Sequence, residues 1–89
     1  MKVKYSDQAA KDLKGFNSVD RTLIATKIHY LADNFEQLTQ TKKIRELKGT
    51  KYGGHYRYTI ARKIRAIFRI EDDAIVMLIL RIGLRKDIY

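Results

Sequence analysis

The chain has no cysteine and only two histidines, His29 and His55. Disulfide frameworks, thiol nucleophiles and zinc ribbons are excluded together, and two imidazoles cannot build a metal cage by themselves. No apolar run reaches the roughly 18 residues that a spanning helix needs. The opening Met1-Lys2-Val3-Lys4-Tyr5 alternates charge with apolar side chains instead of forming a secretion-signal core, so a cytoplasmic product with no membrane segment is expected. Acidic side chains are scarce as well: 10 Asp plus Glu stand against 19 Lys plus Arg, a formal charge of +9 on 89 residues. On so small a body, self-repulsion opposes compaction unless a polyanion or an acidic partner offsets it. Nucleic acid, an acidic protein, or each in turn is therefore the expected partner. With 45% hydrophobic residues there is enough apolar material for one sheet under one layer of helices, which predicts a single domain over residues 1–89.

The pattern changes period part-way along the chain. Met1 to Tyr5 reads as a short strand. Ser6 suits a helix N-cap, Asp7 puts a carboxylate in the first turn, Ala9, Ala10, Leu13 and Phe16 give one apolar side, and Gly15 marks a stop. Asn17 or Ser18 restarts a second helix, in which Val19, Leu23, Ile24, Ile28, Leu31, Ala32 and Phe35 recur at three- and four-residue spacing. These two segments form a predicted helical hairpin. Residues Asn34 to Thr41 read as polar loop. Beyond them the period is two: a short strand at Ile44 to Leu47, stronger ones at His55 to Ile60 and Lys63 to Ile70, and an apolar run from Ala74 to Ile82 expected at the centre of the sheet. The Glu71-Asp72-Asp73 run makes the last turn. The fold class is α+β, a small antiparallel sheet of three to four main strands with the helical hairpin packed on one face.

Parity on the predicted hairpin separates two faces. A two-residue loop would set Arg57 opposite Ala66 and His55 opposite Phe68, driving charge into the apolar face. A three-residue loop of Ala61, Arg62 and Lys63 instead collects Tyr56, Tyr58, Ile60, Ile64, Ala66 and Phe68 on one side, and His55, Arg57, Thr59, Arg65, Ile67 and Arg69 on the other. The second face is then open and basic. Planar guanidinium groups held in a row grip phosphate oxygens in pairs and stay charged at any physiological pH. Tyr52 and Tyr89 are candidates for stacking on unpaired bases. Lys48, Lys51, Lys63 and Lys86, with Lys42 and Lys43, add sequence-independent attraction to phosphate. A solvated, edge-protecting face is the alternative reading of the same charges. Gly53-Gly54 lacks the spacing of a phosphate loop and more simply frees the turn into the next strand.

The closing Arg81-Ile82-Gly83-Leu84-Arg85-Lys86-Asp87-Ile88-Tyr89 follows a buried strand, which follows an arginine-bearing hairpin preceded by Leu47-Lys48-Gly49. In this order and spacing the chain resembles the RelE/ParE superfamily of toxins over nearly its whole length. The resemblance implies a cognate antitoxin that wraps the toxin, possible hetero-oligomers, and, in the RelE branch, cleavage of mRNA in the ribosomal A site. It matches Arg57, Arg65, Arg85 and Tyr89 to the family's functional positions. Thr59 stands where the best-known RelE enzymes carry a second lysine, and Leu84 where histidine or lysine is usual. Metal-independent cleavage would use the RNA 2'-hydroxyl as nucleophile and needs no cofactor; Arg65 and Arg85 would stabilise the transition-state charge and His55 or Tyr89 would move protons. A gyrase-inhibiting ParE-like toxin without nuclease activity, and a basic nucleic-acid-binding module whose catalytic set has decayed, are the alternatives.

Overall fold

The computed structural model describes residues 1–48, 54–73 and 75–87. Its elements run β1 (Lys2–Tyr5), α1 (Asp7–Lys14), α2 (Ser18–Asp33), α3 (Phe35–Leu38), β2 (Ile44–Glu46), β3 (Tyr56–Thr59), β4 (Ile64–Glu71) and β5 (Val76–Leu84). Both main helices start where a side chain replaces the missing backbone acceptor. The Ser6 hydroxyl accepts from the Ala9 N–H at 3.0 Å and donates to the Leu80 carbonyl at 2.9 Å, so one cap also pins α1 to β5. Asn17 caps α2 by accepting from the Asp20 N–H at 2.8 Å.

The sheet order is β1-β5-β4-β3-β2. It has five strands and is mixed, where three to four antiparallel strands were expected: β1 pairs parallel with β5, Lys2 to Tyr5 alongside Val76 to Ile79. That pairing joins the two ends of the chain, so no local pattern announces it. The central strand is β4; the apolar run expected at the centre begins, as described, at Val76 and lies one place toward the β1 edge. Ala74, part of that expected run, lies outside the described residues.

A single apolar layer lies between sheet and helices. Ala9 of α1, Ile24, Ile28, Leu31 and Ala32 of α2, and Tyr58, Ile64, Ala66, Phe68, Met77, Ile79 and Ile82 of the sheet are buried together. Burying one such large aliphatic or aromatic side chain contributes about 1.5 to 3 kcal/mol. The expected loop at Asn34 to Thr41 holds the one-turn helix α3. Asn34 breaks α2 with φ −130°, its side-chain amide donates to the Tyr30 carbonyl, and Phe35 turns into the core. There Phe35 packs edge-on against Tyr56 and Phe68, at centroid distances of 5.7 and 6.0 Å, while Tyr56 and Phe68 stack at 5.5 Å. Val19 and Leu23, expected on the inner side of the second helix, are 75% and 37% exposed; with Tyr30 at 53% they form an outward apolar stripe.

Candidate nucleic-acid interface

The β3–β4 hairpin turns through Ala61, Arg62 and Lys63, with the Ile60 N–H donating to the Ile64 carbonyl at 3.0 Å. Its register sets Tyr56 against Phe68, Arg57 against Ile67, Tyr58 against Ala66 and Thr59 against Arg65. Tyr58, Ala66 and Phe68 are buried under the helices, so Arg57, Thr59, Arg65, Ile67 and Arg69 face away. Neighbouring ladders extend the row. Arg45 of β2 pairs with Arg57, and Ile67 pairs with Arg81 of β5, so Arg45, Arg57, Ile67 and Arg81 line up across four strands. Arg65 and Arg69 flank Ile67 along β4. Ile67 is fully buried although it lies on the helix-free face. Its neighbours on that face, Arg57 and Arg81 across the ladders and Arg65 and Arg69 along β4, carry long aliphatic stems of the kind that cover apolar surface.

These guanidinium groups differ in what already holds them. Arg69 Nη2 pairs with Glu71 Oε2 at 2.7 Å. Arg81 Nε donates to Asp12 Oδ2 at 2.9 Å, and the same oxygen accepts the Ile82 backbone N–H at 2.9 Å. Asp12 thereby closes the stretch of β5 edge that runs past the end of β1. Burial works to raise the Asp12 pKa, but donation from Arg81, Ile82 and Gln8 and the Arg81 charge outweigh it, holding the carboxyl below its ordinary value. Arg65 Nη1 donates to the Ala61 and Arg62 carbonyls, both at 3.1 Å. Arg57 has no ion-pair or hydrogen-bond acceptor among the described residues, and its Nε is buried, as are those of Arg65 and Arg69.

A cleft of about 570 Å³ opens at the end of this face, lined by Arg62, Lys63, Leu84, Arg85 and Lys86. Its two walls are tied together, because the Arg85 N–H donates to the Lys63 carbonyl at 3.0 Å. Four cations around one leucine, with no carboxylate among the described lining residues, suit an anion and would repel a metal ion.

The residues singled out from sequence therefore fall into groups. Arg57 and Arg65 share the open face. Lys63, Arg85 and Lys86 line the cleft beside the Arg65 loop. His55 is half-buried at the foot of β3, its carbonyl accepting from the Leu47 N–H at 2.8 Å. Lys48 is exposed just beyond β2. Lys51, Tyr52 and Tyr89 lie outside the described residues. Arg45, Arg62 and Arg81 were not picked out. Arg45 and Arg81 join the row only through the β2–β3 and β4–β5 registers, and Arg62 sits in a turn where alternation gives no direction.

A sequence model of the family described as ParE toxin of type II toxin-antitoxin system, parDE, matches residues 3–89. The chain belongs to that family. Among curated proteins no significant match is found. Solved structures with the same fold include the YoeB/ParE toxin from Agrobacterium tumefaciens (TM-score 0.71, 18% identity, 96% of this chain and 99% of that one). The archaeal RelE–RelB complex from Pyrococcus horikoshii OT3 is similar as well (0.70, 22% identity, 97% and 96%). So is the heterotetrameric YoeB–YefM toxin–antitoxin complex from Staphylococcus aureus (0.68, 24% identity, 91% and 92%). The expected RelE/ParE superfamily is thus the one found. In this ParE-family toxin no helix among the described residues is long and apolar enough to cross a membrane.

Proposed function

We propose that this toxin is an endoribonuclease that cuts mRNA at the ribosome and so arrests translation. The observation that carries the reading is the cleft whose described lining holds four cations and no carboxylate, at the end of an arginine face on which Arg57 has no acceptor among the described residues. In the reaction the RNA 2'-oxygen attacks the adjacent phosphorus, the bond to the 5'-oxygen breaks, a base takes the 2'-proton and an acid supplies one to the leaving oxygen. Arg57 and Arg85 stabilise the charge that builds on the phosphate, where one preorganised donor is commonly worth about two to three powers of ten in rate. Arg65 lends its charge from the root of the β3–β4 loop. His55 and Tyr89 are the proton-transfer candidates. Lys48, Lys51, Lys63 and Lys86 draw in the RNA backbone, and Tyr52 stacks on a base. The toxin works in the cytoplasm as one domain over residues 1–89, needs no cofactor, and is held silent by a cognate antitoxin in a hetero-oligomer. The outward stripe of Val19, Leu23 and Tyr30 supports that partnership, because an apolar helix face beside a strongly basic body suits an amphipathic, acidic segment.

A second reading, inhibition of DNA gyrase without RNA cleavage, is favoured by the ParE character of the matching family and by Leu84 in the cleft wall. Induction in cells separates the two. Codon-phased mRNA ends mapped by primer extension, absent with Arg85→Ala, are the expected result; gyrase-linked DNA breaks with intact mRNA would replace this reading by the second. Harmless expression would leave only a basic nucleic-acid-binding module.

A further inference from the structure

We infer that Arg65 is a positioning residue that shapes the β3–β4 loop, so that the anion in the adjoining cleft is gripped by Arg62, Lys63, Arg85 and Lys86 and not by Arg65 itself. The inference deepens the nucleic-acid reading of the cleft and rests on it only for the identity of the anion. It starts from the turn. Each carbonyl of a tight connection needs a donor, and one that no backbone N–H reaches must take it from a side chain or water. Here the Ile64 carbonyl accepts from Ile60 at 3.0 Å, the Ala61 carbonyl accepts from the Ile64 N–H at 3.3 Å, and the Lys63 carbonyl accepts from Arg85 at 3.0 Å. Arg65 Nη1 gives the Arg62 carbonyl its donor and the Ala61 carbonyl a second one, at 3.1 Å each, with a longer approach to Ile64 at 3.4 Å.

One side-chain amino group thus sits inside the concave side of the turn. This sets the carbonyl of Lys63 where Arg85 can reach it, and points the loop that carries Arg62 and Lys63 at the C-terminal wall. The same bonds withdraw Arg65 from direct service. A bidentate grip on phosphate needs two adjacent guanidinium N–H groups on one edge. Nη1 is held by the loop, and Nε is buried with no acceptor among the described residues, so both edges are compromised. Arg62, Lys63, Arg85 and Lys86 are all exposed and form no ion pair among the described residues.

The test uses inorganic phosphate and backbone amide exchange on the toxin, followed by NMR, so no ribosome is involved. Arg65→Met should cut the protection of the Arg85 amide at least tenfold and weaken phosphate binding in parallel. Arg65→Lys, which keeps donors for the two carbonyls, should hold that protection within threefold. Arg62→Ala and Lys63→Ala should weaken phosphate binding with Arg85 protection intact. In the unaltered toxin, saturating phosphate should shift the side-chain signals of Arg62 and Arg85 and leave those of Arg65 in place, a readout that stands even if Arg65→Met does not fold. Arg65 signals that move with phosphate, or an Arg65→Met protein with full Arg85 protection and weak phosphate binding, would make Arg65 a direct ligand and overturn the inference. If the mRNA assay fails while these results hold, the loop role survives and only the substrate is wrong.

Discussion

Replacing Asp12 with alanine should be among the most damaging single changes outside the apolar core. Its carboxylate accepts three donors at 2.9 Å: Arg81 Nε, the Ile82 backbone N–H and Gln8 Nε2. Gln8 is exposed and adds little. The other two are charge-assisted bonds worth roughly 1.5 to 3 kcal/mol each, part of which water returns on the Arg81 side, and the Ile82 N–H would be stranded on a buried residue. The expected loss is about 2 to 4 kcal/mol. For a domain of this length each kcal/mol moves the midpoint by about 4 to 8 °C, so thermal unfolding followed by circular dichroism should shift by roughly 8 to 32 °C. Asp12→Asn keeps an oxygen for Ile82 and should cost about half as much. The pH dependence gives a second handle. A carboxyl held below its ordinary value contributes stability that is present above the unfolded pKa near 3.9 and lost as pH falls through the folded value. The gap between wild type and Asp12→Asn should therefore stay flat from pH 7 to 5 and close below about pH 4. An Asp12→Ala protein within 0.5 kcal/mol of wild type, or a gap that does not narrow as pH falls below about 4, would refute this account of the β5 edge; 0.5 kcal/mol is about the scatter of neutral surface changes.

Phe68→Ala removes the fully buried member of the Phe35–Tyr56–Phe68 cluster and should cost about 3 to 5 kcal/mol in urea unfolding, enough to leave a domain of ordinary stability marginal. At the β4–β5 turn Asp72 and Asp73 both have φ +54°, so Asp73→Gly should be neutral or stabilising, whereas Asp73→Val should cost about 1 to 2 kcal/mol by the same thermal assay. Lys63→Ala with Lys86→Ala lowers the formal charge from +9 to +7, and Asp72→Asn with Asp73→Asn raises it from +9 to +11. The first pair should flatten the salt dependence of RNA binding by up to about 1.4 units of slope, two contacts at 0.7 each, while the second barely changes it; equal and opposite effects would show that only net charge matters.

Sequence reasoning reached the hairpin because its constraint is local. Once alternation and a three-residue loop are granted, the faces of Tyr58, Ala66 and Phe68 on one side and Arg57, Arg65 and Arg69 on the other follow from a period of two. The helix starts were legible for the same reason, since Ser6 and Asn17 act within three residues of themselves. What was missed is non-local. The parallel β1–β5 pair joins residues more than 70 positions apart, and the Asp12 bonds to Arg81 and Ile82 span 69 and 70. Val19 and Leu23 repeat with the core residues of α2 yet point outward, because a sixteen-residue helix over a short edge strand has more apolar surface than the sheet can cover. Arg65 was legible as a charge on the open face. Its grip on the loop carbonyls was not, since a side chain bonding to backbone leaves no periodic trace.

The arginine face sets function against stability. Arg45, Arg57, Arg65, Arg69 and Arg81 crowd one side of the sheet, where Glu71 pairs with Arg69 and Asp12 with Arg81, and burying a charged donor such as the Nε of Arg57 without an acceptor among the described residues is itself unfavourable. Natural folds keep such arrangements where binding relieves them. An anionic occupant would offset the repulsion and satisfy the exposed guanidinium edges in one step, so it must bind the folded toxin better than the unfolded chain. By mass action an occupant at 100 times its dissociation constant then adds about 2.7 kcal/mol to the unfolding free energy. Under the proposed function, RNA phosphate on the open face would then be a stabilising ligand through the same charges that make that face costly by itself.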